Sequence, residues 1–430
     1  MALLWLMDLL ALAVPFFLLA LLLEFSIDRV RGSGLYRSND AINSLSAGIL
    51  STTLGYFTRF MPLLVWGLVL ENYALIDMQL DWFDASPGGI TMWIVAAVAW
   101  DFCYYWFHRF SHERSILWAA HAVHHQSEDY NLSTALRQTS TGFLFSWIFY
   151  VPLFLIGFPL EILLTVNAVN LIYQFWVHTQ VVRRMGFLDY VLITPSNHRV
   201  HHAQNERYID KNYGGMLIIW DRMFGTFEDE RDDDPVVFGV RKPLANWNPF
   251  WANLQVYDYL MFDARRAQRL RDKFGIWFRR TGWRPADVES RYPKQRASLT
   301  SFRKFDPAVA PAVRRYVLVQ FAVAVTTALA IAALFASEGA RSVLIPCVVL
   351  WTQLFTLGLF NEGRDHAIRS EALRLLIIVP GCVAVMALDG QAGTGNAVVW
   401  GLLAGYIALS LAGLSRLWHE KNVEKIVLKQ

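Results

Sequence analysis

The sequence predicts an all-α, polytopic membrane protein with a histidine-rich site at one end of its helices. Three observations carry that expectation. Of 430 residues, 55% are hydrophobic and only 17% charged, with mean hydropathy +0.30, whereas soluble domains carry about 25% charge. Apolar runs close to the ~20 residues a helix needs to cross a bilayer recur about nine times. The basic residues between those runs gather on one side.

The expected spans are roughly 4–26, 42–70, 90–107, 141–157, 160–178, 314–336, 342–360, 371–388 and 397–415. The first run, Met1 to Phe25, carries Asp8 and no basic leader, so it reads as a spanning helix and not a cleaved signal. The second is long and holds Pro62, which predicts a kink. Gly157-Phe158-Pro159 joins the fourth and fifth; they should form a tight hairpin whose two ends emerge on the same side.

Charge orients this set. Arg29, Arg31 and Arg37 follow the first span, and the loop 71–89 holds Glu71, Asp77, Asp81 and Asp84 with no Lys or Arg. The segment 261–304 holds thirteen Lys/Arg against four acids. Arg364 and Arg369 follow the seventh span, the loop 389–396 has no basic residue, and the tail carries Arg416, Lys421, Lys425 and Lys429. With about nine crossings the strongly basic loops share one side, which the positive-inside rule makes cytoplasmic; Arg341 is the exception. Four segments follow: N-terminal transmembrane helices 1–89, a catalytic segment 90–260, a basic interfacial segment 261–313 and a C-terminal four-helix transmembrane region 314–430. In the third, Trp277, Phe278 and Trp283 alternate with Arg279, Arg280 and Arg284, a pattern for the headgroup layer or for a solvated basic loop.

Net charge is +3, too small to imply a nucleic-acid partner. Cys103, Cys347 and Cys382 lie in apolar runs without zinc-type spacing and read as small buried hydrophobes. Arg outnumbers Lys 31 to 8, a pointer to a GC-rich bacterium and so to an inner membrane; in a eukaryote the same protein would sit in the endoplasmic reticulum.

Nine of the eleven histidines lie between His108 and His202. Eight form three clusters: His108 with His112; His121, His124 and His125; His198, His201 and His202. Spacings of three and four put these imidazoles on common helix faces. Neutral imidazole ligates iron, zinc, copper and nickel, and eight or nine suit two ions better than one. His178, between the second and third clusters, is counted with them; His366 and His419 stand alone and read as ordinary polar residues. All three clusters fall just beyond the ends of spans three and five, on the expected cytoplasmic side.

Asp101 precedes His108 by seven residues, nearly two helical turns, and an acid in a span is costly and usually functional. It is expected to support an imidazole of the first cluster from behind. Glu113 is expected either in that supporting role or as an occasional ligand. Asn131, Gln138, Asn197, Asn205 and Asp210 flank the clusters and could orient imidazoles. Arg109, Arg137, Arg199 and Arg207 could pair with carboxylates or bind an anionic headgroup. All-imidazole ligation at a membrane suits iron used with O2, and zinc fits the ligand type as well.

The order HxxxH, HxxHH, HxxHH after paired spans resembles the fatty acid hydroxylase, or sterol desaturase, superfamily of membrane di-iron oxygenases. Asp101 to Glu113, DFCYYWFHRFSHE, is similar to its first box. His121 to Gln138, and His198 to Asp221 with its YGGMLIIWD, look like the alkylglycerol monooxygenase branch. The resemblance is strong over about 40–260; further on it rests on architecture. It implies that the eight box histidines ligate two irons, with His178 an additional histidine near the site and Glu113 matching an acid of the ether-lipid branch. It also implies O2, a membrane lipid substrate and an external electron donor, tetrahydrobiopterin in the animal branch. The expected activity is lipid C–H hydroxylation, with cleavage of alkyl glyceryl ethers. Hydroxylation or desaturation of a fatty acyl, sterol or aminolipid is the sibling alternative. A divalent metal transporter is a more distant one, disfavoured because transporters place ligands near the bilayer midplane.

Overall fold

The computed structural model describes residues 2–78, 86–294, 298–388 and 397–427. Among these residues every regular element is helical, and extended pairing is limited to three isolated bridges. Five helices are long and apolar enough to cross a membrane: Pro87–Glu113, Pro311–Glu338, Ala340–Asn361, Ala367–Leu388 and Trp400–Glu420. A sixth span forms if Ser38–Thr58 and Phe60–Tyr73 count together, bent by 48°; Pro62 sits in the first turn after the bend, where its ring is tolerated. The protein is a multi-pass membrane protein, and among the described residues five or six helices meet this test where nine spans were expected. The acids Asp81 and Asp84 and the loop 389–396 lie outside the described residues.

The expected hairpin 141–178 explains part of the shortfall. Its first arm is wound as 3-10 turns at Gly142–Leu144 and Ser146–Tyr150 before one α-turn at Val151–Ile156. Its second, Leu160–Trp176, has 17 residues. Gly157 turns the chain at φ +112, and a Cβ there would lie 1.9 Å from the Ile76 carbonyl oxygen, so only glycine fits. The backbone N–H groups of Leu75 and Ile76 donate to Leu155 and Ile156, at 2.8 and 3.2 Å, which ties down the tip.

The chain divides into two compact units, one comprising 1–51, 58–244 and 252–304, the other 52–57, 245–251 and 305–430. In the first, aromatic side chains fill the space below the histidines: Trp100 stacks on Tyr150 at 4.0 Å and Trp66 on Phe154 at 5.0 Å. In the second, Pro311–Glu338 and Ala340–Asn361 meet at Gly339, φ +84. Their buried Gln320 and Gln353 bond to each other, and the buried Glu371–Arg374 pair lies at a π-helical turn, Arg374–Ile378.

Candidate metal centre

The helix Pro87–Glu113 is started by Ser86, whose hydroxyl accepts from the Gly89 N–H, with Pro87 in the first turn. At 1.5 Å per residue it is about 40 Å long. Asp101, Tyr105, His108 and His112 follow one another at intervals of four, three and four and are all buried, so one face carries the first cluster. Arg114 breaks the helix with an extended backbone, and Ser115–His125 turns back carrying the second. Pro195–His201 carries the third. His178 lies just past the helix Leu160–Trp176.

These elements bring nine imidazoles into two sets. His108, His112, His121, His125 and His201 form one; His124, His178, His198 and His202 form the other. Within each set the ligand nitrogens lie within 4.8 Å of one another. The sets adjoin, with the His125 and His202 rings stacked at 4.3 Å. Each set draws on several clusters, so no sequence cluster corresponds to one set.

The backs of four rings are held by carbonyls. Nδ1 of His108 donates to Tyr213 at 2.8 Å, His124 to Arg137 at 3.0 Å, His178 to Gln174 at 2.8 Å and His201 to Lys211 at 3.0 Å. In each the Nε2 lone pair is left facing inward. The Nε2 atoms of His124 and His178 then stand 3.2 Å apart with neither carrying a proton. Two lone pairs at that distance repel. Ligands about 2.1 Å from a shared cation, at right angles, stand about 3.0 Å apart. The contacts His108–His121 at 3.1 Å, His121–His125 at 3.0 Å and His178–His198 at 3.1 Å fit the same spacing. Nε2 of His112 and of His201 is buried with no partner. Burial holds His124 at about 4 and His125, His201 and His202 well below the usual histidine range, so these imidazoles are neutral, as ligation requires. The donor set therefore fits two metal ions, and all-nitrogen ligation suits iron or zinc.

Asp101 differs from its expected role. It touches no imidazole. Its carboxylate accepts from the backbone N–H groups of Met216 and Leu217 at 2.7 and 3.1 Å, from Trp220 Nε1 at 2.9 Å and from Asn170 Nδ2 at 3.1 Å. Asp221 does the same one step along, accepting from the N–H groups of Tyr213 and Gly214 at 2.7 and 2.8 Å. Two buried carboxylates thus hold the loop 213–217, and that loop presents the carbonyl which orients His108. A Cβ on Gly215 would lie 2.7 Å from Asp101 Oδ1, which is why a glycine stands there. Glu113 also lies outside both sets; it pairs with Arg109 at 3.0 Å.

The flanking amides and arginines are structural. Asn131 caps the short helix Leu132–Ala135, Gln138 donates to the Ala135 carbonyl, Asn197 to the Asp189 and Leu192 carbonyls, Asn205 to Asp234, and Asp210 pairs with Arg280. Arg137, 1% exposed, bonds to Val123, Asn43 and Gln126. Arg199 forks onto Glu230 at 2.8 and 2.7 Å, and Arg207 lies 3.7 Å from Asp234. Sequence reasoning passed over several carboxylates that hold these loops. Glu24 of the first helix accepts from the Leu132 N–H and the Thr179 hydroxyl; Asp40 accepts from the Ser127 hydroxyl and the Glu128 N–H. The signal for Glu24 was an acid within an apolar run; Asp221 stood in the quoted motif without a role.

The interfacial segment packs on the first cluster. Ser115 N–H donates to Arg279 and Thr281 N–H to Glu113, while Arg284 is buried on Asp263. Between this segment and the histidines lies a cavity of about 410 Å³, bordered by His112, His125, His201 and His202.

Fold and site together define a multi-pass membrane protein with a paired, all-imidazole metal-type centre. Residues 93–226 match the fatty acid hydroxylase family. Alkylglycerol monooxygenase of Danio rerio is 38% identical over 371 residues, 85% of this chain and 80% of the relative. The Homo sapiens protein of that name is 37% identical over 85% of this chain and 81% of its own. Ornithine lipid hydroxylase OlsE of Rhizobium tropici is 34% identical over 38% of this chain and 50% of its own. No solved structure gives a significant match. The chain belongs to the fatty acid hydroxylase family, among the relatives of the alkylglycerol monooxygenases, and is an oxidoreductase of the monooxygenase type.

Proposed function

We propose that this chain is a di-iron, O2-dependent monooxygenase acting on a lipid C–H bond, and that the bond lies beside the ether oxygen of an alkyl glyceryl lipid. The observation that carries the reading is the inward-facing pair of unprotonated nitrogens on His124 and His178, set among nine imidazoles whose nitrogens gather into two groups. His108, His112, His121, His125 and His201 would hold one iron; His124, His178, His198 and His202 the other. Bound there, iron would supply O2 activation and removal of hydrogen from the substrate carbon.

The rest falls to the chain. The carbonyls of Tyr213, Arg137, Gln174 and Lys211 fix the tautomers of His108, His124, His178 and His201, so these four rings need no rearrangement on binding. Tyr213 Oη is buried without a partner, its ring 5.3 Å from that of His112. Burial raises its pKa above the tyrosine value, so it keeps its proton and can donate toward the imidazoles. Insertion of one oxygen atom beside the ether oxygen gives a hemiacetal, which falls apart to an aldehyde and a glycerol lipid. The second oxygen atom leaves as water and consumes two electrons, supplied by an external reductant; tetrahydrobiopterin is carried over from the animal branch by resemblance alone.

Parity of crossings supports a cytoplasmic site. The two arms of the hairpin at 142–176 return the chain to the side it left, so the basic loops keep one orientation whether or not those arms count as full spans. The test is lipidomics of membranes with and without the protein, with and without O2. An O2-dependent loss of alkyl glyceryl ethers with matching aldehyde is expected. A hydroxylated aminolipid without aldehyde would favour the alternative that the OlsE relative suggests; no O2-dependent lipid change would overturn both.

A further inference from the structure

The cavity over the histidines carries an uneven charge. Four cations line it, Arg241, Lys242, Arg284 and Lys294, with the carboxylates of Asp210 and Asp263. Asp263 is taken by Arg284 at 2.8 Å and Lys294 at 3.0 Å, and Asp210 by Arg280 at 3.1 Å. Arg241 and Lys242 have no carboxylate within ion-pair distance among the described residues. Arg241 Nε is buried with no hydrogen-bond partner. The Lys242 ammonium lies over the Tyr259 ring, 3.0 Å from its centre. Lys242 is attracted by Asp263 and Asp258 without touching either and is repelled by Lys294 and Arg284, so the cavity wall keeps an excess of positive charge that a bound anion would offset.

The strand of chain that carries them is fixed in place. Gly239 turns at φ +106, and a Cβ there would meet Glu128 Cγ at 3.4 Å. Before it, the Val237 and Phe238 carbonyls accept from Gln204 at 2.8 and 2.9 Å. After it, the Pro243 and Leu244 carbonyls accept from Gln255 Nε2 at 3.3 and 3.2 Å. Phe238 stacks on Tyr130 at 4.6 Å. The two cations are therefore displayed from a braced segment, the arrangement a binding site needs to avoid ordering costs.

We propose that Arg241 and Lys242 form an anion subsite that takes the phosphate of the lipid headgroup, so that the substrate class is a phosphate-bearing, single-chain ether lipid. This rests on the reading of the site given above. A glycerol backbone separates such a phosphate from the ether carbon, and one cavity borders both the two cations and His112, His125, His201 and His202. The guanidinium supplies planar donors to phosphate oxygens and the ammonium a point charge.

The test is equilibrium binding to the purified full-length protein, which is independent of turnover. The probes are dodecyl phosphate, 1-O-dodecylglycerol and inorganic phosphate. Wild type should bind dodecyl phosphate at least about tenfold more tightly than dodecylglycerol, as a pair of charge-assisted contacts allows. Arg241→Gln and Lys242→Gln should each erode that preference and together abolish it, with dodecylglycerol affinity unchanged. Arg231→Gln removes the same charge from an exposed pair with Asp233 and should change nothing. Equal binding of the two amphiphiles, or a preference that survives both variants, would overturn the proposal. Inorganic phosphate binding as tightly as dodecyl phosphate would also overturn it, because the anion recognised would then be free phosphate and not a headgroup. A protein that shows the preference yet oxidises no ether lipid leaves the subsite standing and refutes the assigned reaction.

Discussion

His108 Nδ1 donates to the carbonyl of Tyr213 at 2.8 Å across 105 residues of sequence. That bond links the first histidine cluster to the loop 213–217, and Asp101 and Asp221 hold the loop by four backbone N–H groups. Asp101 thus acts on His108 through the backbone of a distant segment.

Gly215→Ala tests this linkage without touching a ligand. The new Cβ would meet Asp101 Oδ1 and the Tyr104 ring at under 3 Å, so the loop must shift and the Tyr213 carbonyl with it. Loss of such outer support typically costs about 10- to 100-fold in metal affinity or activity, and a fall of that size in iron affinity is expected, measured by chelator competition. Asp101→Asn should act in the same direction, since its amide NH2 would face N–H donors. Wild-type affinity in both variants would break the link between loop and metal.

The two imidazole sets make a prediction about stoichiometry. His201 belongs to the five-histidine set and His124 to the four-histidine set. Purified protein should carry two iron equivalents. His201→Ala and His124→Ala should each fall toward one, and the double variant toward none, by elemental analysis. His178→Ala should resemble His124→Ala and not His201→Ala. Two equivalents retained in either single variant would refute the assignment of ligands to sets.

How much of this was legible beforehand depends on range. The helix Pro87–Glu113 and the shared face of His108 and His112 follow from spacing, because helical periodicity is local. The all-α membrane class follows from composition. The partition of nine imidazoles does not, because His201 joins the first cluster and His124 joins His178 only through tertiary packing. Asp101 stands out in the sequence as an acid within an apolar run, but its partners come from residues 170 and 216–220, beyond any helical repeat. Arg241 and Lys242 passed unnoticed because their lack of an ion-pair partner among the described residues appears only once their neighbours are known.

Acid should destabilise the metal-free protein at mildly low pH. An unfolded histidine takes a proton near pH 6.5, while folded His124 does so only near 4 and His125, His201 and His202 well below their usual value. Between those limits the unfolded chain binds more protons than the folded one, so stability falls as pH falls. The melting temperature of metal-free protein should therefore drop steadily from pH 7 to pH 4.5. A flat profile would mean that these imidazoles are already solvated.

Arg199 provides the last test. Its guanidinium forks onto Glu230 and also donates to the Thr179 and Val182 carbonyls at 2.9 and 2.7 Å. It therefore clamps the helix bearing His198 to the chain just after His178, two members of one set. Arg199→Ala takes this donor from two carbonyls and leaves the half-buried Glu230 carboxylate with the Ser196 hydroxyl alone, a loss of about 1–3 kcal/mol. Arg199→Lys keeps the charge but cannot reproduce the planar fork, so it should recover only part of that loss. The specific expectation concerns location. His178 and His198 drift apart when the clamp goes, so iron should be lost from the four-histidine set first, and partial loading should resemble that of His124→Ala and not of His201→Ala. Equal loss from both sets would show that Arg199 contributes only general stability.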